Sequence, residues 1–281
     1  DPKYINITTH RSEVVMKDLG NGLLERSTLR RRPGSVAVAA ALQQEFNIPI
    51  VPHILCSGFT REETEYVLID LQYLGITNLL LLRGDKARED VSFHPTPNGY
   101  SHTTELQEQV NNFNKGFFVD GSSMKEAGAA FSYGVACYPE KHEEAPNMTT
   151  DAMWFKKKIE LGAEYGVTQM FFDNNILYNY LYRVREKGIT VPVIAGIMPV
   201  TNISQIKRIC SMSGTYLPAR FKAIVDRFGD NPAAMKQAGI AYATEQIIDL
   251  IANHVNGIHV YSMNKPEVAA AIMQNLSEIV K

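Results

Sequence analysis

Polar residues gather where the apolar runs of this chain stop, and the sharpest case is Asn78 to Asp85, NLLLLRGD. Four leucines end at Arg83, Gly84 and Asp85, so a cation, a flexible backbone position and a carboxylate follow in three residues. A run this short cannot span a membrane and reads as a strand buried on both faces. Other apolar runs end in the same way. They supply Thr8 and Thr9; His53; Tyr138, Glu140 and His142; Gln169 and Asp173; Thr201 and Asn202; and Tyr261, Asn264 and Lys265. The set is rich in donors and poor in acids. Histidines are sparse and no H-E-x-x-H occurs, so no metal site is expected. There is no G-x-S-x-G for a serine nucleophile, and neither G-x-G-x-x-G nor G-x-x-x-x-G-K-[ST] for a phosphate turn. Neutral donors around one or two carboxylates suit a large, flat, hydrogen-bonding organic ligand.

The elements that must position these residues alternate between strand and helix. Strands are expected at Tyr4 to Thr9, Pro49 to Leu55, Leu79 to Leu82, Phe131 to Tyr138, Thr168 to Phe172, Pro192 to Met198 and Gly257 to Tyr261. Helices are expected from Ser35, as cap, to Phe46; from Thr60 to Leu74, closed by Gly75; over 149–165, 176–187, 204–212 and 232–253; and from Pro266 to Val280. Arg11 to Pro33 is polar, glycine-containing and basic and reads as a loop. Residues 86–128 form a long polar insertion with a helix near Thr104 to Asn111, of the kind that covers a site or an interface. Seven strands separated by helices favour one (β/α)8 TIM barrel domain over 1–281, with an open doubly wound sheet as the competing architecture. Eight units are needed to close a barrel, so the first strand is expected upstream of Asp1. In a barrel the ligand site lies at the C-terminal ends of the strands, where the polar residues above fall.

Composition excludes several classes. The 281 residues are 45% hydrophobic and carry a formal net charge of -2, which gives no general attraction to nucleic acid or to anionic membrane. Cys56, Cys137 and Cys210 are far apart, form no CxxC pair and read as core residues of a protein kept in a reducing cytoplasm. No stretch approaches the roughly 20 apolar residues of a membrane helix. The basic runs Arg30 to Arg32 and Lys156 to Lys158 read mainly as solvated faces.

Six blocks, in order, carry a resemblance: VPHILC at 51–56, LLLRGD at 80–85, ACYPEKHEEA at 136–145, TQMFFD at 168–173, GIMPVTN at 196–202 and YSMNK at 261–265. The chain resembles the methylenetetrahydrofolate reductase family from about Tyr4 onward. The resemblance implies a barrel that holds FAD, takes hydride from NADH or NADPH, and reduces 5,10-methylenetetrahydrofolate to 5-methyltetrahydrofolate in one-carbon metabolism and methionine biosynthesis. It implies FAD contacts at Thr8, His53, Leu82, Arg83, Gly84, Tyr100, Tyr138, His142, Asp151 and Lys158. It places Asp85 near the flavin and the pterin, and Gln169, Ile203, Tyr261 and Lys265 on the substrate. A homo-oligomer is expected.

The chemistry is consistent with these roles. A hydride needs an electrophilic carbon, so the methylene bridge opens to an iminium cation first. A carboxylate such as Asp85 within about 4 Å of that cation supplies a few kcal/mol at an effective dielectric near 20. The family's general-acid glutamate belongs to a strand-one segment expected upstream of Asp1. Ile203 stands where the family has phenylalanine and removes an aromatic surface, and Lys265 stands for an arginine and cannot grip a carboxylate bidentately. Two alternatives remain at this point: a noncatalytic flavin-binding barrel that relays electrons in a larger complex, and a flavin-free folate-binding barrel working with a methyltransferase. The plain readings are a strand-end ion pair for Arg83 and Asp85, a core histidine for His53, and a buried backbone partner for Gln169.

Overall fold

The computed structural model describes residues 2–86, 90, 92–206, 209 and 214–280. It is an α/β fold with seven parallel strands, divided into two compact units. The first unit runs to Val135 and takes in Leu161–Ala163; the second comprises Ala136–Glu160 and the chain from Glu164 onward. Among the described residues no helix is long and apolar enough to cross a membrane, and no group of three or more His, Cys, Asp or Glu could hold a metal ion.

In the first unit β1 (Ile5–Ile7), β4 (Ile50–Leu55), β5 (Asn78–Leu82) and β6 (Ser132–Cys137) pair in that order, all parallel. Leu79, Leu80 and Leu81 are at most 4% exposed, as a strand covered on both faces requires. Between the strands lie α1 (Ser35–Phe46), α2 (Arg61–Tyr73) and α3 (Thr103–Asn114). Helix α2 starts in a capping box. The Glu63 N–H donates to Thr60 Oγ1 at 3.1 Å, and the Thr60 N–H donates to Glu63 Oε2 at 2.8 Å. Gly75, at φ +69°, ends it.

Two expectations for this unit are corrected. Residues 11–33 are not a loop: β2 (Glu13–Gly20) and β3 (Leu23–Leu29) form an antiparallel hairpin turned by Asn21 and Gly22, both at positive φ. Ser35 is the first residue of α1 rather than its cap, which is Gly34, and the Ser35 hydroxyl donates to Thr9 Oγ1 at 2.8 Å.

In the second unit β7 (Tyr165–Thr168), β8 (Val193–Ile197) and β9 (Gly257–Val260) are parallel neighbours. Its helices are α4 (Met148–Glu160), α5 (Asn174–Glu186), α6 (Ala219–Phe228), α7 (Pro232–Ala252) and α8 (Pro266–Asn275). Strand β7 begins three residues before the expected Thr168 and ends there, so Gln169 to Phe172 lie beyond it. Phe172 stacks on Phe221 of α6 with centroids 4.8 Å apart, in a cluster with Val200, Ile206 and Met235. Helix α6 was not expected from the sequence. Helix α7 runs against the backbone after β8, for a Cβ on Gly239 would lie 1.8 Å from the Val200 carbonyl oxygen. The helix expected over 204–212 is described only at 203–206 and 209, and Cys210 lies outside the described residues.

Candidate functional site

In the first unit the turn after β5 carries the LRGD residues. Its backbone is tied to the turn after β4, because the Cys56 and Ser57 N–H groups donate to the carbonyl oxygens of Leu82 and Arg83. Gly84 has φ +83°, and a Cβ there would meet Ser57 Cβ at 2.7 Å, so only glycine fits this close approach. The Ser57 hydroxyl donates to the Asp85 carbonyl oxygen at 3.2 Å, and the Asp85 carboxylate stands exposed beyond it. The Arg83 guanidinium lies over the Phe93 ring, 4.4 Å from its centroid.

His53 is buried in β4, and its carbonyl accepts from Thr9 Oγ1 at 2.5 Å. Thr8, at the end of β1, is exposed, and Leu82 is half-buried. Tyr100 is buried beneath the Arg61 guanidinium, 5.0 Å from the ring centroid, and lines a cleft of about 460 Å3 together with Gln109 and Phe117. Burial pushes the Tyr100 phenol up to about 12, so it is a neutral donor at ordinary pH.

In the second unit the structure brings together Tyr138, His142, Asp151 and Lys158. Asp151 sits in the first turn of α4 and is 6% exposed; its Oδ1 accepts from the His142 N–H at 3.0 Å. Burial raises its pKa, opposed by that hydrogen bond and by Lys158 and Lys141. The Tyr138 and His142 rings meet edge to face at 4.8 Å. Lys158 donates to the Ala136 carbonyl oxygen at 3.0 Å and holds its ammonium 5.8 Å from the Tyr138 ring centroid. Its two neighbours face outward: Lys156 pairs with Glu160 and Lys157 lies over Trp154.

The ends of β7, β8 and β9 form a second constellation in the same unit. The Thr168 carbonyl accepts from the Tyr261 hydroxyl at 2.8 Å, and Thr168 Oγ1 accepts from the Gly196 N–H at 2.8 Å. Gln169 follows directly, its Oε1 accepting from the Met170 N–H at 3.1 Å. Lys265, the N-cap of α8, donates to Thr201 Oγ1 at 3.1 Å, and Ile203 is 37% exposed.

Three participants escaped the sequence reading. Ser57 shapes the Gly84 turn, and no pattern marks it. Phe93 supports Arg83 from an unpatterned polar stretch. His259 packs edge to face on Tyr261 at 4.9 Å, and burial lowers its pKa to about 4. The alternation of strand β9, which puts His259 and Tyr261 on one face, could have revealed it.

A family model described as Methylenetetrahydrofolate reductase matches residues 1–277 of the chain. Methylenetetrahydrofolate reductase (NADH) 1 of Arabidopsis thaliana is 29% identical over 254 residues, covering 87% of this chain and 41% of that protein. The chain therefore spans about two fifths of the length of this plant relative. The 5,10-methylenetetrahydrofolate reductase of Escherichia coli (strain K12) is 28% identical over 240 residues, covering 85% of this chain and 74% of that protein. A solved structure described as an uncharacterized protein from Clostridium thermocellum that binds two copies of 5-methyl-5,6,7,8-tetrahydrofolic acid matches with a TM-score of 0.54 at 14% identity. The match covers 99% of this chain and 83% of that one, and shows a common fold.

Proposed function

The chain belongs to the methylenetetrahydrofolate reductase family, and from that membership we propose that it binds FAD and reduces 5,10-methylenetetrahydrofolate to 5-methyltetrahydrofolate with hydride from NADH or NADPH. The observation that carries the cofactor assignment is the cluster after β6. A cation on Lys158, a buried acceptor on Asp151 and the Tyr138 and His142 rings are what a dinucleotide with a diphosphate and sugar hydroxyls calls for. In the first unit Gly84, at positive φ and close against Ser57, fixes the turn that carries Arg83 and Asp85.

Bound FAD would supply hydride chemistry that side chains lack. The residues of the chain bind and orient. Lys158 offsets the diphosphate charge and Asp151 accepts from the cofactor hydroxyls. Thr8, His53, Leu82, Arg83 and Tyr100 complete the cofactor contacts. Asp85 offers a carboxylate to the iminium carbon of the opened folate. Gln169 bonds the pterin, Tyr261 and Ile203 wall it, and Lys265 attracts the carboxylates of the glutamate tail as a point charge. A single (β/α)8 barrel domain is part of this proposal, supported by the alternation of strand and helix from β4 to α8. A cytoplasmic homo-oligomer completes it.

The test is a pair of half-reactions on the FAD-loaded protein, followed by flavin absorbance in stopped flow. NADH or NADPH is expected to bleach the flavin, and methylenetetrahydrofolate to restore its colour. Bleaching without recovery by the folate overturns the reductase reading in favour of an electron relay.

A further inference from the structure

The constellation in the second unit leaves one ring and one carboxyl without a role. Tyr216 lies on the segment 214–218 that leads into α6. Its N–H donates to Glu140 Oε2 at 2.7 Å. Its neighbour Leu217 packs against the cluster of Phe172, Val200 and Phe221. Glu140 follows β6, Phe172 follows β7 and Val200 follows β8. The segment is thus pinned from both sides at the strand ends that carry Tyr138, Gln169 and Thr201. The Tyr216 side chain is nevertheless 51% exposed. A ring whose backbone is held at a site edge, with half its surface in water, is preordered for a flat partner at little entropic cost.

Keeping the Glu140 carboxyl half-buried here carries a cost. Among the described residues its Oε1 is buried with no hydrogen-bond partner, while Oε2 holds the Tyr216 N–H. Burial raises its pKa, and the nearby Asp173 adds to the rise. Ile203, in the helical residues that follow β8, offers only an aliphatic surface.

We propose that Tyr216 is the aromatic platform on which the pterin ring of the folate stacks, and that Glu140 is the positioning residue that holds it there. The assignment deepens the folate reading above and rests on it. The hydroxyl of Tyr216 is not needed; its ring is. Glu140 acts through the backbone of residue 216 and does not touch the substrate.

Equilibrium binding of 5-methyltetrahydrofolate to the FAD-loaded full chain tests this, with FAD retention read from the flavin absorbance of each variant. Tyr216→Leu keeps apolar bulk without a ring and is expected to weaken binding about tenfold, the usual scale for one stacked base. Tyr216→Phe is expected to restore it to within about twofold of the native chain. Glu140→Ala is expected to weaken binding severalfold, and Glu140→Gln, whose amide oxygen still accepts from the Tyr216 N–H, to recover it. Tyr216→Met serves as the second ringless variant should the leucine form lose FAD. A ringless variant that binds like the native chain, or a phenylalanine variant no better than it, overturns the platform. Native affinity in Glu140→Ala overturns the positioning role. A native chain that holds FAD and binds no folate overturns both this assignment and the reading beneath it.

Discussion

The Tyr261 hydroxyl donates to the Thr168 carbonyl oxygen at 2.8 Å, and Gly196 lies against both partners. A Cβ on Gly196 would stand 2.3 Å from that carbonyl oxygen and 2.8 Å from ring carbon Cε2 of Tyr261. The tyrosine therefore spans β8 only because β8 has no side chain at that point. Gly196→Ala is expected to cost about 2 to 3 kcal/mol through overpacking, whereas Tyr261→Phe, which loses one neutral hydrogen bond, is expected to cost about 1 kcal/mol. Urea unfolding of the two variants checks the order; a phenylalanine variant less stable than the alanine variant contradicts the steric account.

Lys158 and the two lysines before it differ in what they touch. Lys158 reaches the Ala136 carbonyl beside Tyr138, while Lys156 and Lys157 engage Glu160 and Trp154 on the outer face. Lys158→Met is expected to weaken FAD binding about ten- to hundredfold, the loss of one charge-assisted interaction. Lys156→Met and Lys157→Met are expected to change it less than about twofold. Fluorescence titration with FAD measures all three, and equal losses would remove Lys158 from the diphosphate.

His259 should make stability depend on pH. Burial lowers its pKa from 6.5 to about 4, so between those values the unfolded chain takes up a proton that the folded chain refuses. Stability then falls as pH drops through that window and is level above it, by about 3 kcal/mol for this group alone. His259→Phe keeps an aromatic edge against Tyr261 and removes the proton. Denaturant unfolding from pH 4 to 7 is expected to show a shallower decline in the variant; parallel curves would mean that His259 titrates alike in both states.

Much of this was legible in the residues, for identifiable reasons. Leu79 to Leu82 could be read because a strand buried on both faces has no polar position to obscure it, and Thr60 with Glu63 because a capping box is a local pairing. Strand β7 was displaced because Met170, Phe171 and Phe172 are as apolar as a strand. Phe172 is buried against α6 and α7 and Met170 packs on the same cluster, and a sequence window cannot see that. Helix α6 went unread because its stripe is short and only Phe221 is fully covered. Ser57 and Phe93 act through chain crossings between distant turns, which leave no spacing to find.

The hairpin was misread although Asn21 and Gly22 mark it. Both adopt positive φ, as a tight two-residue turn between antiparallel strands requires, and the glycines and charges around them obscured the pattern. Its consequence is thermodynamic. Along β3 the side chains are exposed at every position but Ser27, and Met16, Leu19, Leu23 and Leu24 are each more than half exposed. A two-stranded ribbon with so little buried surface adds little stability. Residues Glu13 and Leu29 are paired, so the ribbon leaves and re-enters the unit at neighbouring points, and a Gly-Ser link can replace residues 13–29. That deletion is expected to change the unfolding free energy by less than about 1 kcal/mol, and brief proteolysis of the native chain is expected to cut first near Asn21. A loss several times larger would show that the ribbon is covered in solution by something that contributes to folding.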